Sequence, residues 1–103
     1  MLDEINFLAE RSQGLRPEEF LANEVLKRAF VRSLEVIGEA VKKLPAEFRQ
    51  KYSHIDWRAI AGTRDKLIHD YFGVDYEIVW DIVISEVPQL KEQVENILQE
   101  ESK

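Results

Sequence analysis

Residues 56–75 read DWRAIAGTRDKLIHDYFGVD, and the spacing within them decides the secondary structure of the chain's centre. Asp56 is a residue type that caps helices, Gly73 is one that takes the left-handed position after them, and apolar side chains recur at helical intervals between the two. The stretch predicts one helix from Trp57 to Phe72. At about 100° per residue, with Trp57 as zero, Ile60, Ala61, Leu67, Ile68, Tyr71 and Phe72 fall within roughly 80° on either side, which makes that arc the expected buried face. Arg64 falls near its middle, at about −20°. A guanidinium keeps its proton, and burying it unpaired costs on the order of several kcal/mol, so it needs carboxylates, backbone carbonyls, water in a cleft or a ligand anion. Glu35 and Glu39 are the carboxylate candidates.

The rest of the chain also reads as helix. Leu2, Ile5, Leu8 and Ala9 share a face, and Gly14 is a plausible terminator. Arg16-Pro17-Glu18-Glu19 looks like a helix start, with proline at the first position and acids in the first turn. Asn23 is placed to cap a longer helix with two apolar stripes: Leu26, Phe30, Leu34, Ile37, Val41 and Leu44 form one, and Val25, Ala29, Val36 and Ala40 lie beside it. A helix apolar on two sides is central or lies at a contact between copies. Lys42, Lys43 and Pro45 end it, and PAEFRQKYSHI (45–55) reads as a helical turn and a loop. Asp75 caps the last helical region, whose stripe runs through Tyr76, Val79, Val83, Val87, Leu90, Val94 and Ile97. Pro88 removes the backbone bond to the Ile84 carbonyl, so a kink or break is expected there. No stretch alternates with the two-residue period of a strand. The fold class is all-α, an up-and-down bundle of four to five main helices forming one domain over residues 1–103.

Composition narrows the function classes. With 103 residues, 45% of them apolar and 33% charged, and only 4 Gly and 3 Pro, the chain can bury one core. It has no cysteine, which excludes disulfides and thiolate metal sites and makes the cytoplasm the default location. MLDEINFLAERSQG (1–14) lacks a basic segment followed by an apolar run and reads as no signal peptide. No apolar run approaches the roughly 20 residues of a spanning helix. The net charge of −6 has the wrong sign for a broad basic nucleic-acid surface, so any RNA contact must be local. Two histidines in separate segments offer no metal cluster, and no glycine-rich turn follows a strand.

Three residues near Arg64 carry chemical potential. Asp65 precedes His69 by four positions, so its carboxylate can accept the imidazole N–H and fix the tautomer. Gly62 lies on the same flank and leaves space beside the ring. Tyr71 lies within about 20° of Arg64's line, two turns on. His69 is about 140° further round than Arg64, so on a straight helix the two diverge unless the helix bends or a second copy brings its own helix alongside. His54 has no comparable company and reads as structural or solvent-exposed.

The spacing Arg64, four residues, His69, one residue, Tyr71 resembles the R-x4-H-x-Y signature of the HepT-like toxins, a branch of the HEPN superfamily. LEVIGEAVKKLP (34–45), IDWRAIAGTRDKLIHDYFGVD (55–75) and IVWDIV (78–83) are similar to that family's blocks in the same order, and the resemblance extends from about Phe20 to Leu98. It implies a homodimer with the motif helices facing each other, acting as a metal-independent endoribonuclease, the toxin of a toxin–antitoxin pair. The implied partner is a minimal nucleotidyltransferase antitoxin that places AMP on Tyr71. No cofactor is implied. Where relatives often carry asparagine after the arginine, this chain has Asp65.

The implied chemistry suits these side chains. Cleaving RNA without metal takes a base for the 2′-hydroxyl proton, an acid for the leaving 5′-oxygen and a cation for the charged phosphorane. One chain offers one motif histidine, His69, and a two-fold dimer offers two, with Arg64 of each as a phosphate clamp. Phosphate added to the Tyr71 hydroxyl puts negative charge beside that cleft. The rival readings are a non-catalytic HEPN module that binds a nucleotide or the nucleotidyltransferase, and a structural adaptor in which Arg64 pairs Glu35 or Glu39.

Overall fold

The computed structural model of the chain describes residues 1–67 and 73–102. Among them the regular structure is helical: α1 Leu2–Ser12, α2 Pro17–Ala22, α3 Glu24–Lys42, α4 Ala46–Lys51, α5 Trp57–Ala61, α6 Thr63–Leu67, α7 Tyr76–Ser85 and α8 Val87–Glu101. The all-α expectation holds, with the short α2 and α4 joining the longer members of the bundle.

Side chains expected to start helices do so by accepting amides that have no partner within the helix. Asn23 Oδ1 accepts the Leu26 amide at 3.0 Å, and Asp56 Oδ1 accepts that of Ala59 at 3.0 Å. Asp75 Oδ1 accepts from both Glu77 and Ile78, at 3.1 and 3.3 Å. The Glu19 side chain reaches back to the Arg16 amide at 3.0 Å, and Pro17 opens α2. Gly14 and Gly73 have φ of 70° and 80°, the left-handed conformation that a side chain disfavours.

The long helix α3 occupies the middle, in contact with α1, α2, α5, α6 and α7, while α8 packs on α1 and α7. The main core gathers Ile5 and Leu8 from α1, Leu34 and Ile37 from α3 and Val79 and Val83 from α7. Phe20 ties the bundle's upper end together, stacking at 5.0 Å on Phe30 and at 5.3 Å on Trp80. A second cluster of Val41, Tyr52, Ile55, Trp57 and Ile97 closes the other end. Within it the Trp57 indole donates to the Tyr52 carbonyl at 3.1 Å. The expected break near Pro88 falls at Glu86, whose amide ends α7 on the Ile82 carbonyl at 2.9 Å and whose carbonyl opens α8 by accepting the Leu90 amide at 3.0 Å. None of the described helices is long and apolar enough to cross a membrane.

The helix expected to run unbroken from Trp57 is interrupted after five residues. Gly62 sits at φ −88°, ψ 5°, and among the described residues neither the Thr63 nor the Arg64 amide continues the ladder. The Thr63 hydroxyl donates to the Ala59 carbonyl instead, at 3.3 Å. The Gly62 carbonyl restarts the series by accepting Asp65 and Lys66, at 3.1 and 3.4 Å. Gly38 on α3 lies against the carbonyls at the interruption. A Cβ built there would stand 3.3 Å from the Ile60 oxygen and 3.5 Å from that of Ala61. Because the obstacle is backbone, it cannot yield by a rotamer change. Gly38→Ala is therefore expected to push α3 off α5 and cost about 1–3 kcal/mol, read as a lower denaturation midpoint. A gain from better helix propensity, about 1 kcal/mol for Gly to Ala, would appear as increased stability and show that α3 has room there.

Candidate functional site

The interruption changes which way the motif arginine faces. The inward line of α6 runs through Thr63 and Leu67, four residues apart and both buried, so Arg64 lies one residue off it, about 100° round. Arg64 is exposed, as are Asp65 and Lys66. This corrects the sequence expectation of an arginine in the middle of a packed face: a periodicity carried through Gly62 without a change of phase assigns it to the core. The intramolecular partners are not used either. Glu35 lies 4.0 Å from Arg32 and Glu39 3.4 Å from Lys42. Arg64 forms no ion pair among the described residues. Its guanidinium is thus presented to solvent with its donor fork open, the state in which it can meet an external phosphate.

His69 and Tyr71 lie outside the described residues, and their relation to Arg64 rests on the sequence spacing. Asp65, four positions before His69, is placed at the surface beside Arg64. The segment's two flanks are tied together, since the Asp75 amide donates to the Leu67 carbonyl at 2.8 Å. The end of α6 and the start of α7 are held side by side.

Thr63, one residue before the arginine, was not legible as a site residue, because a threonine in a helix carries no signal of which way it faces. It lines a cleft of about 280 Å³ between α3, α5 and the α7–α8 joint, together with the apolar Leu34, Ile60 and Leu90 and the polar Glu86 and Gln93. His54 opens onto this cleft as well. It is exposed, as the sequence allowed, with its ring edge-on to Tyr52 at 6.5 Å.

Among the described residues, the groups with displaced titration are Lys51 and Tyr52, at the end of α4. A hydrogen bond to Glu101 holds the Lys51 ammonium above its ordinary 10.5, and burial, reinforced by the Glu101 carboxylate, pushes the Tyr52 phenol above 10.0. Both shifts favour the protonated form at neutral pH and mark a structural tie between α4 and the end of α8. Among the described residues no group of three or more histidines and acids is arranged to hold a metal ion.

Comparison with known proteins finds relatives over nearly the whole chain. The family model described as "Ribonuclease HepT-like" matches residues 1–97. Two proteins named as putative RNases are similar over nearly the whole chain. One, from Caldanaerobacter subterraneus subsp. tengcongensis, is 57% identical over 101 residues, covering 98% of this chain and 90% of its own length. The other, from Methanocaldococcus jannaschii, is 50% identical over 100 residues, covering 97% and 79%. A "Probable ribonuclease HepT" from Thermococcus cleftensis is 40% identical over 93 residues, covering 90% and 84%. No solved structure matches the chain. With an all-α bundle, the R-x4-H-x-Y spacing and a family match spanning nearly its full length, the chain belongs to the HepT-like ribonuclease family.

Proposed function

We propose that this protein is a metal-independent endoribonuclease, the toxin of a toxin–antitoxin pair, and that it works in the cytoplasm as a homodimer. The observation that carries the reading is the solvent-facing Arg64, free of any carboxylate among the described residues, in a chain of this family. An arginine kept for stability would be neutralised by Glu35 or Glu39. One kept for an incoming phosphate has to stay open.

In this scheme Arg64 clamps the scissile phosphate and stabilises the charge that builds on its non-bridging oxygens. His69 exchanges the protons, and with one motif histidine per chain, two subunits divide the roles of base at the 2′-hydroxyl and acid at the 5′-oxygen. Asp65 orients the imidazole by accepting its N–H. The second apolar stripe of α3 supports the pairing of chains, since Val25 is exposed and Ala29, Val36 and Ala40 are only half-buried, a face a second copy could cover. The antitoxin is a minimal nucleotidyltransferase that transfers AMP to the Tyr71 hydroxyl, and the added negative charge then repels the RNA phosphate.

The test is cleavage of single-stranded RNA by the purified protein in a metal chelator, beside His69→Ala. The expected result is loss of about 10²–10⁴-fold in rate for the variant, the range for a positioned acid or base. Equal cleavage by the two proteins removes His69 from the chemistry. Cleavage by neither assigns the chain to the non-catalytic binding role.

A further inference from the structure

A second cleft, about 550 Å³ and open to solvent, lies between α4 and the start of α5, and neither Arg64 nor Asp65 lines it. Around it stand Arg49, Gln50, Ser53, His54 and Arg58, against one carboxylate, Asp56. In a chain of net charge −6 this is a local reversal of sign. The carboxylate is already engaged, because its Oδ1 accepts the Ala59 amide as the cap of α5.

Among the described residues, the two arginines are not neutralised by the chain's own acids. Arg16, Lys27, Arg32, Lys42 and Lys51 each lie within 4.0 Å of a carboxylate oxygen. Arg49 and Arg58 have no ion pair among the described residues. The Arg49 Nε is moreover buried with no hydrogen-bond partner. A charged donor held out of water and unpaired is costly, and native proteins rarely leave one so. An acceptor from outside the chain that draws the half-buried Arg49 side chain toward the cleft would resolve the deficit, and the rest of the cleft is suited to one: guanidinium forks, an imidazole, a hydroxyl and an amide are the groups that bind phosphate oxygens.

We propose that this cleft holds the phosphodiester backbone of the RNA strand at a point separate from the scissile phosphate. The choice of RNA as ligand rests on the ribonuclease reading; the anion chemistry of the cleft does not. The cleft's openness favours a strand that runs through over a small enclosed anion. Position favours it too. Arg58 and Arg64 are both exposed and stand six residues apart in sequence, on either side of the interruption at Gly62, so an extended strand, unlike a small anion, is long enough to engage both. The arrangement also reconciles an acidic protein with an RNA substrate, since a few unneutralised arginines can hold a strand that the chain as a whole repels.

The test uses the full chain carrying His69→Ala, so that the RNA stays intact. A labelled single-stranded RNA of about 12 nucleotides is titrated by fluorescence anisotropy from about 50 to 200 mM salt. Against this background Arg49→Gln with Arg58→Gln is expected to weaken binding and to flatten the slope of log affinity against log salt by about 1.4, at about 0.7 for each phosphate of a single strand that is no longer neutralised. Arg58→Gln alone, at an exposed position where the fold has nothing to lose, is expected to flatten it by about 0.7. An unchanged slope in that single variant overturns the proposal. So does displacement of the RNA by inorganic pyrophosphate at equal phosphorus concentration, which would assign the cleft to a small anion. The nuclease reading is judged separately, by cleavage with the unsubstituted protein. Slopes that flatten while no RNA is cut leave the cleft standing and the nuclease fallen, and cleavage with unmoved slopes does the reverse.

Discussion

Arg64→Gln is expected to lower RNA cleavage by about 10²–10³-fold, the usual loss when a donor to a developing oxyanion is removed, and to leave the thermal unfolding midpoint where it was. The two halves of this expectation come from one structural fact. Arg64 is exposed and touches no carboxylate among the described residues, so the folded state has no charge pair to lose, and an exposed substitution of this kind falls within about 0.5 kcal/mol. The transition state does lose one. Because the guanidinium is pictured as meeting the phosphorane more strongly than the ground-state diester, the loss should appear mainly in kcat, with KM changed less. A variant that cuts RNA within tenfold of the parent would remove Arg64 from the chemistry. One that melts several degrees lower would return it to the structural role its helical-wheel position first indicated.

Trp57→Ala is expected to do the opposite, costing about 3–5 kcal/mol of stability. Trp57 is 6% exposed and anchors the lower cluster among Val41, Tyr52, Ile55 and Ile97, with the Phe48 ring 6.2 Å away. Its indole N–H is paired with the Tyr52 carbonyl, so truncation also removes one of that carbonyl's two hydrogen bonds and leaves it the Ile55 amide alone. For a domain with a total stability of about 5–15 kcal/mol, the loss is a large fraction, equivalent to a fall in midpoint on the order of 20 °C. Trp57→Phe, which keeps most of the volume and forfeits the hydrogen bond, should lie between the two. Urea denaturation followed by circular dichroism checks both. A cost under about 1 kcal/mol for Trp57→Ala would mean that α5 is held by Gly38 and α3 alone.

The local devices of this fold are written in the sequence. Asn23, Asp56 and Asp75 accept the amides that their positions before apolar runs require, Gly14 and Gly73 take the left-handed turns, and the α7–α8 break arises two residues before Pro88. The stripe from Val79 to Ile97 is buried as its spacing requires. Each of these is decided within four residues, where sequence is informative. The interruption at Gly62 is not of this kind. A lone glycine weakens a helix by only about 1 kcal/mol, and what lies against the break is Gly38, distant in sequence, meeting the Ile60 and Ala61 carbonyls. The candidate site divides in the same way. Arg64 and Asp65 were legible as residue types at a telling spacing, while the exposure of Arg64 depended on the phase change that only the packing of α3 reveals. Arg49 and Arg58 carry no such signal, because a loop separates them and no period joins residues on either side of a loop.

The interrupted ladder also divides the molecule energetically. With the Thr63 and Arg64 amides outside the α5 series, opening α6 disrupts its own short run of bonds, the burial of Thr63 and Leu67 and the Thr63 hydroxyl's bond to the Ala59 carbonyl, and leaves the backbone ladder of α5 in place. The strip that carries the arginine is thereby a separate cooperative unit, with a lower free energy of opening than the bundle behind it. On the proposed role of Arg64, adjustment of that strip to a bound strand would leave the global stability of the fold untouched.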